Sequence, residues 1–273
     1  MKRGLVLASL LFFAGCRRPP PPTVQPTAVA APPTPVATTP APAPPAPAVE
    51  PKVERLLVPG DLVASVVRGT SSTPPLTVFM GGVCSNANAY LQSFPHAAQK
   101  QGGVVGIEGD QLCAPGVDPS FRTYSWDANR QHARIEAALA AAGLTEIPKE
   151  GITLVGYSQG ASLAEQLAAK YPNRYARIVI IAAPTDPSPR DFAKTRALVT
   201  MACSRDVTAR MKGAATATNK LGTPATYFQM PDCTHGQVAD AENIFGQSFD
   251  WLAANERPVP DSAQPTRIAG PPG

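Results

Sequence analysis

Gly156-Tyr157-Ser158-Gln159-Gly160 joins two segments of opposite periodicity. Before it, Ile152-Thr153-Leu154-Val155 is a short, largely β-branched run of the kind a buried strand needs. After it, Ala161 to Tyr171 places Leu163, Leu167 and Tyr171 at i, i+4 and i+8 on one helical face, and Pro172-Asn173 stops the helix. A serine at the apex of so sharp a strand-to-helix turn stands on strained backbone with both elements passing close by, and Gly156 and Gly160 supply the room. A helix starting beside Ser158 would direct its positive end and free N–H groups toward negative charge developing there during acyl transfer. Ser158 is therefore a candidate nucleophile. The competing reading is an ordinary serine in a Gly-bounded turn.

Working outward, Lys52 to Gly69 offers two short strands around Pro59-Gly60, and Leu76 to Met80 offers another, followed by a helix through Tyr90, Leu91 and Phe94. Gly103 to Ile107 predicts a strand. Asp127 to Gly143 predicts a helix with Ile135, Leu139 and Ala142 on one face and Gly143 as its C-terminal cap. Beyond the elbow helix come strands at Arg177 to Ala182, Ala197 to Ala202 and Ala225 to Met230, then a closing helix over 241–254. Strands alternating with helices imply an α/β domain with a mainly parallel sheet covered on both faces and a site at the carboxyl ends of its strands.

The loops after the later strands hold an acid and a base in the order Ser158, Asp206, His235. His235 would take the Ser158 proton and return it to the leaving group, while Asp206 fixes the imidazole tautomer and stabilises the imidazolium. His96 and His132 fall on helices upstream of Ser158, where packing or surface roles are expected. Asp186 is the main rival acid and Asp232 lies too close in sequence to His235. Asp206 is preferred because a loop after the penultimate strand faces the histidine loop more naturally. The backbone N–H of Gln159 is the first candidate oxyanion donor, and the second falls in Met80-Gly81-Gly82-Val83, with Gly82 ahead of Val83.

From Leu76 to Trp251 these residues resemble a compact α/β-hydrolase of the carboxylesterase, cutinase and dienelactone hydrolase kind. The resemblance implies a single-domain α/β-hydrolase fold and ester hydrolysis without a metal or organic cofactor. Met80 stands where many relatives carry histidine before the Gly-Gly turn. Only 183–196 separates two core strands where many hydrolases insert a helical cap, so little or no cap domain is expected. The site walls would then come from Asn86 to Phe94 and from Cys113 to Trp126. In the second segment Phe121, Tyr124 and Trp126 either meet substrate or pack a long loop.

The chain ends carry different information. Met1-Lys2-Arg3, the apolar run Leu5 to Phe13 and Ala14-Gly15-Cys16 resemble a bacterial lipoprotein signal, over a run too short to span a bilayer. That resemblance implies cleavage after residue 15 and a lipid, palmitate included, on Cys16. The absence of Asp after Cys16 then points to an outer-membrane destination in the cell envelope. An ordinary cleaved signal peptide is the alternative. Residues 16–51 read as the lipidated cysteine and a disordered Pro/Ala-rich linker, reaching on the order of 100 Å at about 3 Å per residue. Residues 52–255 make one domain, and 256–273 a disordered Pro-rich tail.

Lys2, Arg3, Arg17 and Arg18 account for the whole formal net charge of +4. Nothing electrostatic therefore favours a nucleic-acid partner, although Arg17 and Arg18 suit anionic head groups. Setting Cys16 aside, Cys84, Cys113, Cys203 and Cys233 form an even set in an exported chain, and each consecutive pair follows consecutive strands. Cys84–Cys113 and Cys203–Cys233 disulfides are expected. The second would tie the Asp206 loop to the His235 loop, and no metal-ligand cluster is evident around it. Two functions follow: a lipid-anchored serine hydrolase acting on a small or polymeric ester, or a non-catalytic hydrolase-fold protein binding an envelope component. Thioesterase, amidase and acyltransferase chemistry share the acyl-enzyme step, and the oligomeric state is open.

Overall fold

The computed structural model describes residues 50–268. The expected signal segment, Cys16, Arg17, Arg18 and nearly all of the linker lie outside the described residues. The chain passes through β1 (Glu54–Leu56), β2 (Ala64–Arg68), β3 (Thr77–Met80), α1 (Ala87–Leu91), α2 (Pro95–Lys100), β4 (Gly103–Ile107), β5 (Gln111–Leu112) and β6 (Arg122–Thr123). It continues through α3 (Ala128–Ala141), β7 (Glu146–Ile147), β8 (Ile152–Tyr157), α4 (Gln159–Lys170), β9 (Tyr175–Ile181) and β10 (Ala197–Cys203), then α5 (Thr208–Lys220), β11 (Ala225–Met230), α6 (Ala241–Asn255) and β12 (Thr266–Arg267).

Eight strands form one sheet in the order β1-β2-β4-β3-β8-β9-β10-β11. From β4 to β11 every pairing is parallel, and β2 and β1 join antiparallel at one edge. Side chains alternate across the sheet as the two-residue period of a strand requires. Leu154, Ile178 and Ile180 face α3, α4 and α5, where Ile135, Leu139, Leu163, Leu167 and Met211 meet them. Val155, Val179 and Ile181 face the other way, toward Leu91, Phe245 and Phe249 of α1 and α6. Both faces are thus covered, which is why the central strands are buried almost throughout, Thr153 and Thr200 included. Residues 182–196, between β9 and β10, contain no helix, so no cap is built there.

Two expectations change, and one helix has no counterpart among them. The helix through Tyr90, Leu91 and Phe94 is two helices, because Pro95 sits at the start of α2 and cannot continue the hydrogen bonding of α1. The helix α5 had no strong signal, since its buried positions are Met211, Ala214, Ala215 and Thr218 rather than a leucine stripe. The tail is not disordered through 268. Glu256 pairs with Arg177 and Arg196 at 3.0 Å each, Ala263 is buried, and Thr266–Arg267 pairs antiparallel with β7.

Candidate active site

Ser158 lies between the last residue of β8 and the first of α4 with φ 50° and ψ −109°, the strained backbone a non-glycine residue adopts only where its surroundings hold it. A Cβ on Gly156 would overlap the Gly160 carbonyl, and one on Gly160 would overlap the Met80 carbonyl. The two glycines are thus required by the passage of α4 against β8 and β3. Gly160 N–H donates to Gly81 O at 3.0 Å, stitching the elbow to the turn after β3.

The structure brings Ser158, Asp206 and His235 together. His235 Nε2 lies 2.9 Å from Ser158 Oγ, and its Nδ1 lies 2.8 Å from Asp206 Oδ2. Such a chain can pass a proton from the hydroxyl to the imidazole while the carboxylate holds the ring. Asp186 points away, with its carboxylate 2.8 Å from Arg210 on α5. Asp232 is exposed and 3.6 Å from Arg205. His96 faces Glu50 at 3.8 Å. His132 packs under Tyr171 and bonds the Tyr175 hydroxyl at 2.7 Å, and burial depresses its pKa to about 4. Neither histidine is bonded to Ser158 or Asp206.

Gly82 passes directly against the serine: a Cβ placed on it would sit 3.2 Å from Ser158 Cβ. Within the described residues, the backbone N–H groups of Gly82, Val83 and Gln159 have no protein hydrogen-bond partner, as an anion-binding turn beside a helix N-terminus requires. Met80, at the position of the family histidine, is buried.

The loops are held by contacts that the sequence did not reveal. The Gln159 side chain accepts from Thr123 Oγ1 at 2.8 Å and Tyr124 N at 3.0 Å and donates to Tyr124 O at 2.8 Å. Tyr124 is not a substrate wall. It is buried, its hydroxyl accepts from Gly81 N–H at 3.0 Å and donates to Ile107 O at 2.6 Å, and burial raises its pKa so that it stays a phenol. The peptide of Gly236, next to the histidine, is gripped on both sides. Its N–H donates to the Tyr157 hydroxyl at 2.6 Å, and its carbonyl accepts from the Tyr90 hydroxyl at 3.2 Å. Burial raises the pKa of both phenols. Cys203–Cys233 is a disulfide joining the acid and base loops, beside a Cys233 O to Arg205 N–H bond of 3.1 Å. Cys84–Cys113 is the other, and it fastens the β5–β6 hairpin to the rim.

Ser158 and His235 open into a cavity of about 540 Å³, within the usual range for a small-molecule site. Phe121 lines it, whereas Trp126 lies on a separate surface depression with Asp127 and Lys170. Among the described residues there is no cluster of three or more His, Cys, Asp or Glu side chains able to hold a metal ion, and no helix is long and apolar enough to cross a membrane.

Residues 84–239 match the model of the alpha/beta hydrolase fold family. That is more than half of the chain, and the protein belongs to this family. No protein of curated function matches the sequence. Among solved structures, the fold is similar to a predicted CIB-like hydrolase from Thermoplasma acidophilum, at 16% identity and TM-score 0.53, covering 75% of this chain and 99% of that one. It is similar to carboxyl esterase 2 from the mycorrhizal fungus Tuber melanosporum, at 12% identity and TM-score 0.51, over 77% of this chain and 88% of that one. The carboxylesterase of Bacillus cereus aligns at 14% identity and TM-score 0.50, over 70% of this chain and 93% of that one. At these identities the likeness is one of fold.

Proposed function

We propose that this protein is a serine hydrolase that cleaves a carboxylic ester through an acyl-enzyme on Ser158. The observation that carries the reading is the unbroken hydrogen-bond chain from Ser158 Oγ through His235 to Asp206 at 2.9 and 2.8 Å. In this reaction Ser158 Oγ attacks the ester carbonyl as its proton passes to His235 Nε2, and Asp206 stabilises the imidazolium. The N–H of Gln159 and that of Gly82 or Val83 receive the oxyanion. His235 then protonates the departing alcohol, and a water activated by the same imidazole releases the acid. Esterase and lipase folds among the structural neighbours support this reaction class without fixing the substrate.

The location we infer is the bacterial cell envelope, with a lipid on Cys16 and the outer membrane as destination. It is supported by the lipobox-like Phe13-Ala14-Gly15-Cys16 and by two disulfides, which persist in oxidising compartments. Labelling with a fluorophosphonate probe tests the chemistry. Ser158 is expected to be tagged in the folded protein, Ser158→Ala to abolish tagging, and Asp206→Asn to slow it far more than Asp186→Asn. Absence of labelling in a folded sample would overturn the proposal and leave a binding protein on a hydrolase fold.

A further inference from the structure

The cavity beside Ser158 has polar side chains in its lining, yet their polar atoms are already engaged. Ser85 Oγ donates to Gly82 O at 2.8 Å, and Ser93 Oγ to Tyr90 O at 2.6 Å. Asn86 accepts from Ala89 N–H and donates to Ser120 O, each at 3.0 Å. The hydroxyls of Tyr90 and Tyr157 are held by the Gly236 peptide. Together with Val83, Ala89, Phe121 and Val238, the rings of Tyr90 and Tyr157 make the lining more apolar than polar. Apart from His235, no ionisable side chain of Asp, Glu, Lys, Arg or His lines the space. Arg122, next to Phe121, turns its guanidinium onto the Gly109 and Pro119 carbonyls, and Asp118 accepts from Ser120 N–H. Away from Ser158 and His235, a charged substrate group would therefore lose water without gaining an oppositely charged side chain.

Phe121 is also a built wall, although it is 42% exposed. The residue before it is tied to Asn86, and the residue after it exchanges two backbone hydrogen bonds with Ser85, at 2.9 and 3.1 Å. The Cys84–Cys113 disulfide and the Gln159 clamp on Thr123 and Tyr124 fix the rest of the hairpin. The backbone that carries the Phe121 ring is thus held by contacts that do not depend on the ring itself.

We infer that the substrate of the Ser158 site is an uncharged ester whose group next to the scissile bond is apolar, and that Phe121 limits the length of that group. This rests on the proposed hydrolase reading. Apolar walls discriminate mainly by size, so selectivity between neighbouring homologues is graded, about 10-fold or more per misfitting methylene.

The test uses two ester series on the full chain: p-nitrophenyl esters varied in the acyl group, and acetates varied in the alcohol. Each length carries either a neutral or a carboxylate terminus. On the side of the ester that enters the cavity, neutral members are expected to exceed charged ones in kcat/KM by at least about tenfold. Phe121→Ala is expected to shift the preference in that series toward longer groups, with thermal unfolding confirming a folded protein. Equal turnover of neutral and charged members on both sides would overturn the inference about charge. A chain-length profile unchanged by Phe121→Ala would overturn the role of Phe121. If the parent turns over no ester and fluorophosphonate leaves Ser158 untouched, the hydrolase reading fails instead. Calorimetric binding of the same neutral and charged esters to Ser158→Ala then decides the cavity's preference by itself.

Discussion

Replacing Tyr124 with phenylalanine tests how the turn after β3 is held. The Tyr124 hydroxyl bridges the ends of two neighbouring strands, accepting from Gly81 N–H at 3.0 Å and donating to Ile107 O at 2.6 Å, with the residue only 2% exposed. Phenylalanine keeps the ring packing and removes one atom, leaving a buried N–H and a buried carbonyl without partners. Each stranded group costs about 1–3 kcal/mol, and the carbonyl falls at the lower end because it keeps a second lone pair, so the loss is about 2–4 kcal/mol. For a domain of this size about 2–4 °C accompanies each kcal/mol, placing the drop in Tm at about 5–15 °C. Tyr171→Phe is the matched control: its hydroxyl donates to Asn129 Oδ1 at 2.7 Å at the surface, where water replaces it, and about 0.5 kcal/mol or less is expected. Urea titrations of parent and both variants, at a common m-value, give the comparison. Because Gly81 leads into Gly82 beside Ser158, kcat should also fall with KM little changed. Equal stability losses in the two variants would refute the bridging role.

Two further outcomes follow, one from a half-buried carboxyl on α4 and one from the disulfide between the Asp206 and His235 loops. Burial first, then the neighbouring Asp191, raises the pKa of Glu165 to about 7, although the carboxylate accepts from Ser188 N–H at 2.5 Å. The folded protein holds that proton more tightly than the unfolded chain, whose glutamate titrates near pH 4.3, so this contribution to stability is complete below about pH 4 and is lost as pH rises through about 7. Glu165→Gln keeps an acceptor for Ser188. It should flatten the decline in Tm between pH 4 and 7 and raise Tm above pH 7, and unchanged pH dependence would contradict the assignment. Removing the Cys203–Cys233 bridge with paired alanines, across a sequence separation of 30, should cost about 3.5 kcal/mol by loop entropy. It should also lower kcat, because the bridge joins the loops carrying Asp206 and His235, and an unaltered kcat would show that the tyrosine grip on Gly236 suffices alone.

The elbow was legible because its constraint is local. Gly156 and Gly160 are needed where backbone meets backbone, and both clashes involve elements that the apolar pattern already marked as strand and helix. The placement of Asp206 beside His235 was legible for a topological reason: the β10 loop borders the β11 loop in the sheet, while the β9 loop carrying Asp186 turns to Arg210. What escaped is of two kinds. Helix α5 buries methionine, alanine and threonine, and small residues leave no periodic hydrophobic signal even when a face is fully packed. The Pro-rich tail docks through Glu256 and a two-residue strand, contacts whose partners lie far back in the sequence.

Gln159 carries the second kind furthest. The pentapeptide marks it only as a donor of its backbone N–H, yet its side chain accepts two hydrogen bonds and donates a third to a segment 35 residues earlier. Tyr124 in that segment then bonds Gly81, and Gly81 in turn bonds Gly160. The ring of contacts closes on the elbow itself, so the residue after the serine joins the Ser158 turn to the opposite turn. A local motif can record the apex of such a ring, but the members that close it are set by the fold.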